Sequence, residues 1–179
     1  MRYVALLRAI NVGGHVVKME HLRRLFVELG FTGVGSYIQS GNVFFDTPET
    51  GEASLRRRIE ERLRGALGYD VPTCLRTVPD LEAIVASDAF RGVEVTADVR
   101  LAVVFAVEAM PTGLALPLRS PKGEMEILRV TTRDAFMTWR IVDGKVPAFQ
   151  TFLPAVLGTA VTTRFFGTTA KILEAATKV

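Results

Sequence analysis

Cysteine is almost absent: Cys74 is the only one in 179 residues, which excludes an intramolecular disulfide framework. Its neighbours Val71-Pro72-Thr73 and Leu75 read as a strand, and nothing beside it in sequence would lower its pKa, so a buried thiol is expected. Histidine is scarce as well. His15 and His21 have no partner ligands at metal spacing, so the sequence identifies no metal site. No apolar run approaches the roughly 20 residues of a membrane-spanning helix. Tyr3-Val4-Ala5-Leu6-Leu7-Arg8 follows the first residues without a charged-then-apolar leader, so a cytoplasmic protein with no membrane contact is expected. Charge of one sign is not concentrated either. The net charge is +3, and much of the excess comes from arginines on a predicted helix that also carries glutamates, the pattern of a solvated helix face. No Ser-His-Asp, Cys-His or paired-carboxylate arrangement can be picked out, so neither catalytic residues nor a cofactor is identified.

What is present is a 49% hydrophobic chain, enough to fill one core or two small ones. Residues 3–7 are nearly all apolar, as in a central strand covered on both faces. Met19, Leu22, Leu25, Phe26 and Leu29 recur at helical spacing before Gly30, predicting an amphipathic helix over residues 18–29 with a glycine C-cap. Residues 34–39 and 42–46 read as two strands reversing through a small-residue turn in which Gly41 takes positive φ. Leu55, Ile59, Leu63, Ala66 and Leu67 line a second helix, with Glu60 and Arg64 paired on its other face. Residues 71–77 add a fourth strand, with Pro72 near its start. The resulting βαββαβ order predicts an α+β protein whose first subdomain, residues 1–78, is ferredoxin-like.

Residues 79–179 are expected to form a smaller α/β subdomain packed with the first as one unit. It comprises a short helix from Pro79 through residue 85, a central strand at 100–107, and a hairpin at 124–131 and 135–142. The intervening stretch, 108–123, is broken by Pro111, Gly113, Pro117 and Pro121 and reads as a loop. Residues 147–157 read as a helix that Pro154 kinks or shortens and Gly158 closes. A last helix is expected from about Thr168.

Three stretches carry donors suited to a ligand. The first strand delivers Arg8 to a loop holding Asn11, Gly13 and Gly14 and followed by Lys18, where backbone amides can approach an anion. The glycine spacing matches neither a P-loop nor a dinucleotide fingerprint, and the glycines serve equally to turn the chain into the helix. Gln39, Ser40 and Asn42 form a second cluster, richer in polar groups than a reversal needs. The third holds Thr163, Arg164, Thr168 and Lys171, an anion site at a helix N-terminus or simply a Thr-capped helix with two surface cations.

Leu6-Leu7-Arg8-Ala9-Ile10-Asn11-Val12-Gly13-Gly14, Tyr37-Ile38-Gln39-Ser40-Gly41-Asn42-Val43, and Thr162-Thr163-Arg164 through Thr169-Ala170-Lys171 resemble three signature segments of the bacterial family called domain of unknown function 1697. The resemblance implies a cytoplasmic bacterial α+β protein with two subdomains, the first ferredoxin-like, and no established activity or cofactor. Arg8, Asn11, Gln39, Ser40, Asn42, Thr163, Arg164 and Lys171 match the family pattern. Ala9 stands where the family usually has glycine, and Phe165-Phe166-Gly167 where it tends to show Asn-Trp-Asn.

These segments lead to an expected function: binding of a small anionic ligand or nucleotide in a cleft between the subdomains, since arginine suits bidentate recognition of phosphate or carboxylate. One alternative is an acylphosphatase-like phosphoryl hydrolase, with Arg8 stabilising the oxyanion and Asn42 orienting water. Another is single-stranded nucleic-acid binding on the sheet, using Tyr3 and one of Phe44 and Phe45, which alternation sends to opposite faces. The sequence does not decide oligomeric state.

Overall fold

The computed structural model describes residues 1–145 and 149–178. The chain forms two compact units, one of residues 1–84 with 170–179 and the other of residues 85–169. The first is built from β1 (Arg2–Leu7), α1 (Met19–Glu28), β2 (Thr32–Tyr37), β3 (Asn42–Asp46), α2 (Glu52–Leu67), β4 (Thr73–Thr77) and α3 (Val78–Val85). The second holds β5 (Val99–Ala106), β6 (Leu118–Arg119), β7 (Met125–Val130), β8 (Asp134–Arg140), α4 (Phe149–Leu157) and β9 (Val161–Phe165), and α5 (Phe166–Thr177) follows. Among the described residues no helix is long and apolar enough to cross a membrane.

The first sheet has the order β2-β3-β1-β4, and every neighbouring pair is antiparallel. Alternation divides β1 between two faces. Tyr3, Ala5 and Leu7 join Val43, Phe45 and Leu75 in one core with Leu22, Leu25 and Phe26 of α1 and Leu55, Ile59 and Leu63 of α2, so both helices cover the same face. Phe45 is its aromatic centre, 4.3 Å from Phe31 and 5.4 Å from Phe26 between ring centroids. Val4 and Leu6 are buried on the opposite face, which explains the unbroken apolar run read from the sequence. Gly68 closes α2 with φ 81° and donates its N–H to the Arg64 carbonyl.

The second sheet runs β6-β7-β8-β5-β9, again antiparallel throughout. Ala102, Val104, Ala106, Ala135, Met137 and Trp139 line one face of it, in a core with Leu153 and Leu157 of α4. The expected loop at 108–123 is interrupted by the two-residue edge strand β6, whose Leu118 and Arg119 pair with Ile127 and Glu126. Its prolines disguise so short an element. α4 continues past Pro154 to Leu157 rather than stopping at it, and the Gly158 N–H closes the helix on the Pro154 carbonyl at 2.9 Å. Pro147 and Ala148, at the start of the helix expected from the sequence, lie outside the described residues. The C-terminal region needs a correction: residues 161–165 form the strand β9, and α5 begins at Phe166, so Thr168 lies within the first helical turn. β-Branched Val161, Thr162 and Thr163 with Phe165 favour that strand.

Gly41 illustrates how sequence sets the geometry between β1 and the hairpin. Its φ is 74°, and a Cβ placed on it would sit 2.9 Å from Ile10 Cβ and Cγ1 and 3.1 Å from Leu7 Cβ. Gly41→Ala is therefore expected to cost about 2–4 kcal/mol in urea unfolding, combining left-handed strain with overpacking. Gly13→Ala, at φ +61° with nothing within 4 Å of the added atom, should cost only about 1 kcal/mol. Equal losses would refute the packing argument.

Candidate functional site

The chain leaves β1 between two fixed points: the Leu7 N–H donates to the Gly41 carbonyl at 2.8 Å and the Arg8 N–H to the Pro72 carbonyl at 3.0 Å. The loop that follows is wound through left-handed backbone, with φ of 60° at Ala9, 55° at Asn11, 61° at Gly13 and 88° at Gly14. Asparagine and glycine adopt this region readily; alanine does so with strain, which explains why a glycine would suit position 9.

Asn11 then ties this loop down. Its Nδ2 donates to the Gln39 carbonyl at 2.7 Å and to the Val17 carbonyl at 3.1 Å, while its Oδ1 accepts the Val17 N–H at 2.7 Å. One side-chain amide thus joins the loop after β1, the approach to α1 and the hairpin turn. Asn42 does similar work inside the hairpin: it is fully buried and donates to the Tyr37 carbonyl at 3.1 Å and to Ser40 Oγ at 2.9 Å. Three of the predicted ligand residues, Asn11, Ser40 and Asn42, are thereby engaged in building the loops.

The side chains of Arg8, Lys18 and Gln39 make no hydrogen bond or ion pair among the described residues. Arg8 is half-buried and the other two are exposed. Between Arg8 and Lys18 in sequence, the N–H groups of Gly13 and Gly14 are likewise unpaired among the described residues, and Lys18 occupies the N-cap of α1 with no side-chain cap. Free amides, a helix N-terminus and two cations are what an anion requires. His15 does not join them as a ligand; its ring stacks on Tyr69 at 3.8 Å between centroids.

The C-terminal segment is arranged differently from its expected form. Because residues 161–165 are a strand, Thr163 and Arg164 point to opposite faces of the second sheet and cannot share a site. The Arg164 guanidinium is buried and donates through Nη1 to Thr162 Oγ1 at 2.8 Å and to the Thr163 carbonyl at 2.9 Å. Thr168 is half-buried in the first turn of α5. Lys171 is exposed on α5; it adds to the larger effect of Lys178 in holding the Glu174 carboxyl below its ordinary range. A cavity of about 270 Å³ in the second unit, lined by residues including Glu94, Glu124, Glu126 and Arg140, touches none of the residues singled out from the sequence.

Two features went unread in the sequence. Arg76 on β4 is 1% exposed, and its Nη1 donates to the Leu75 carbonyl at 2.6 Å. Alternation with Leu75 puts it beside Val4 on the face away from α1 and α2, a face that the apolar run of β1 marks as covered, but nothing in the sequence signals that an arginine is buried there. Tyr69 is the other, since its hydroxyl is buried without a hydrogen-bond partner among the described residues. Burial pushes its phenol above the ordinary value. The neutral ring therefore contributes fully below the unfolded pKa of about 10, and that contribution is lost as pH rises through the folded value. Tyr69→Phe keeps the ring against His15 and removes the orphaned hydroxyl. It should raise unfolding free energy by about 1 kcal/mol at neutral pH, with the advantage widening above about pH 10; a loss of stability would show the hydroxyl to be bonded.

A comparison with curated proteins finds no match. Among solved structures, a conserved bacterial protein from Streptococcus pneumoniae is similar at a TM-score of 0.69 and 23% identity, over 98% of this chain and 98% of that one. At that identity the likeness establishes a common fold. A family model described as "Protein of unknown function (DUF1697)" matches residues 1–136, which include the loop after β1 and the hairpin turn but not the segment around Arg164. With about three quarters of its length matched, the chain belongs to that family.

Proposed function

We propose that the protein binds a small anionic ligand on the loops at the C-terminal end of β1, with Arg8 as the principal contact and Lys18, Gly13, Gly14 and Gln39 around it. The observation that carries this reading is the half-buried Arg8 guanidinium, which has no partner among the described residues beside a loop already fixed by Asn11. A guanidinium with its five donors free, on the same loop as unpaired backbone amides, is suited to a phosphate or carboxylate. The sheet order β2-β3-β1-β4, with α1 and α2 on one face, supports a ferredoxin-like reading of the first unit. The likeness to a streptococcal protein supports a bacterial setting.

Both alternatives raised by the sequence are weakened by particular contacts. A hydrolase of the acylphosphatase kind needs the Asn42 amide for water, but Asn42 is buried and its Nδ2 serves Tyr37 and Ser40. A stacking platform for nucleic acid needs exposed rings, yet Tyr3, Phe44 and Phe45 are all buried.

Thermal unfolding against phosphate, pyrophosphate, nucleotides and citrate tests the proposal. A ligand at a hundred times its Kd should stabilise the protein by about 2.7 kcal/mol. Arg8→Ala should abolish that shift while changing the stability of the free protein by no more than about 0.5 kcal/mol, because no hydrogen bond or ion pair among the described residues is lost. Arg164→Ala should show the reverse: a less stable protein that keeps its ligand shift. A full shift in Arg8→Ala would overturn the assignment.

A further inference from the structure

The loops proposed to hold the anion also expose aliphatic side chains. Val16 is 88% exposed, Val12 58% and Ile38 49%. Each is the chain neighbour of a residue in the Asn11 hydrogen-bond set: Val12 follows Asn11 itself, Val16 precedes Val17, and Ile38 precedes Gln39. The same amide that assembles the loops therefore gathers the backbone segments that carry these three residues, and the charged residues at the two ends of the first segment are Arg8 and Lys18. Residues 8–18 and 37–42 contain no aspartate or glutamate, so the loops' charged groups are cationic. A turn needing only solubility would carry polar residues at these positions, since aliphatic surface in water is unfavourable by roughly 25 cal/mol per Å².

We infer that the ligand is an amphiphilic anion, a phosphate or carboxylate carried on an aliphatic chain. Its head meets Arg8 and Lys18, and its chain lies across Val12, Val16 and Ile38. This inference rests on the anion-binding reading of the same loops. The apolar residues distinguish such a ligand from a nucleotide. Aliphatic side chains give a base no stacking face, and the nearby His15 ring is already stacked on Tyr69.

The test is calorimetry on the full chain with inorganic phosphate, butyl phosphate and octyl phosphate, and with acetate and octanoate, below their micelle concentrations. Each added pair of methylenes is expected to tighten Kd by roughly four- to fifteen-fold until the patch is covered. The double variant Val16→Ser, Ile38→Ser should lose this dependence on chain length and keep the affinity for inorganic phosphate; Arg8→Ala should lose both. Sedimentation with vesicles of phosphatidylcholine and phosphatidylglycerol separates the sources: vesicle binding abolished in the double variant indicates a lipid headgroup, and octyl phosphate binding without it a free amphiphile. If phosphate binds and octyl phosphate and octanoate bind no tighter than phosphate and acetate, the amphiphile is overturned and the anion site stands. If no anion binds at all, both readings fall.

Discussion

Asn11 bonds three backbone groups at once, the Val17 N–H, the Val17 carbonyl and the Gln39 carbonyl, the last of them 28 residues away in sequence. The surface at the end of β1 depends on this arrangement. A loop carrying left-handed backbone at Ala9, Asn11, Gly13 and Gly14 would otherwise be free to sample many conformations, and fixing each residue costs about 1–2 kcal/mol of conformational entropy. A neutral hydrogen bond contributes about 1 kcal/mol net, so three to one side chain offset a useful part of that cost. Gly41 complements the clasp sterically, because its missing side chain lets the hairpin turn close on Leu7 and Ile10.

This arrangement divides the polar residues of the loops into two kinds. Asn11, Ser40 and Asn42 spend their hydrogen bonds on the protein's own backbone and on each other. Arg8, Lys18 and Gln39 are held on the same frame with side chains uncommitted among the described residues. Preorganised loops that present unpaired donors lose little further entropy when a ligand arrives, which is the condition for binding a small molecule well.

The periodic parts of the sequence were legible. The apolar run of β1, the helical spacing of Leu22, Leu25 and Phe26, and Gly30 after α1, with φ 85°, each reflect a local rule, and the first unit follows them closely. Arg8, Gly13, Gly14 and Lys18 were identifiable as one loop for the same reason. Long-range relations were not. Asn11 reads as a ligand residue until its bonds to Val17 and Gln39 are seen, and Asn42 reads as exposed turn chemistry until its burial is known. In the C-terminal segment the threonines suggested a helix cap, whereas pairing of β9 with β5 makes residues 161–165 a strand and separates Thr163 from Arg164. The β-branched run favours a strand there, but the pairing that selects it comes from a partner about 60 residues away in sequence.

The most direct measurement is amide hydrogen exchange on Asn11→Ala. Val17 donates its N–H to Asn11 Oδ1, so its protection reports the clasp. The account predicts that Val17 exchanges at the rate of an open loop in the variant, while the β1–β3 and β1–β4 pairs keep their protection. Unchanged protection at Val17, or a loss spread evenly through the first sheet, would contradict the claim that this one side chain assembles the surface.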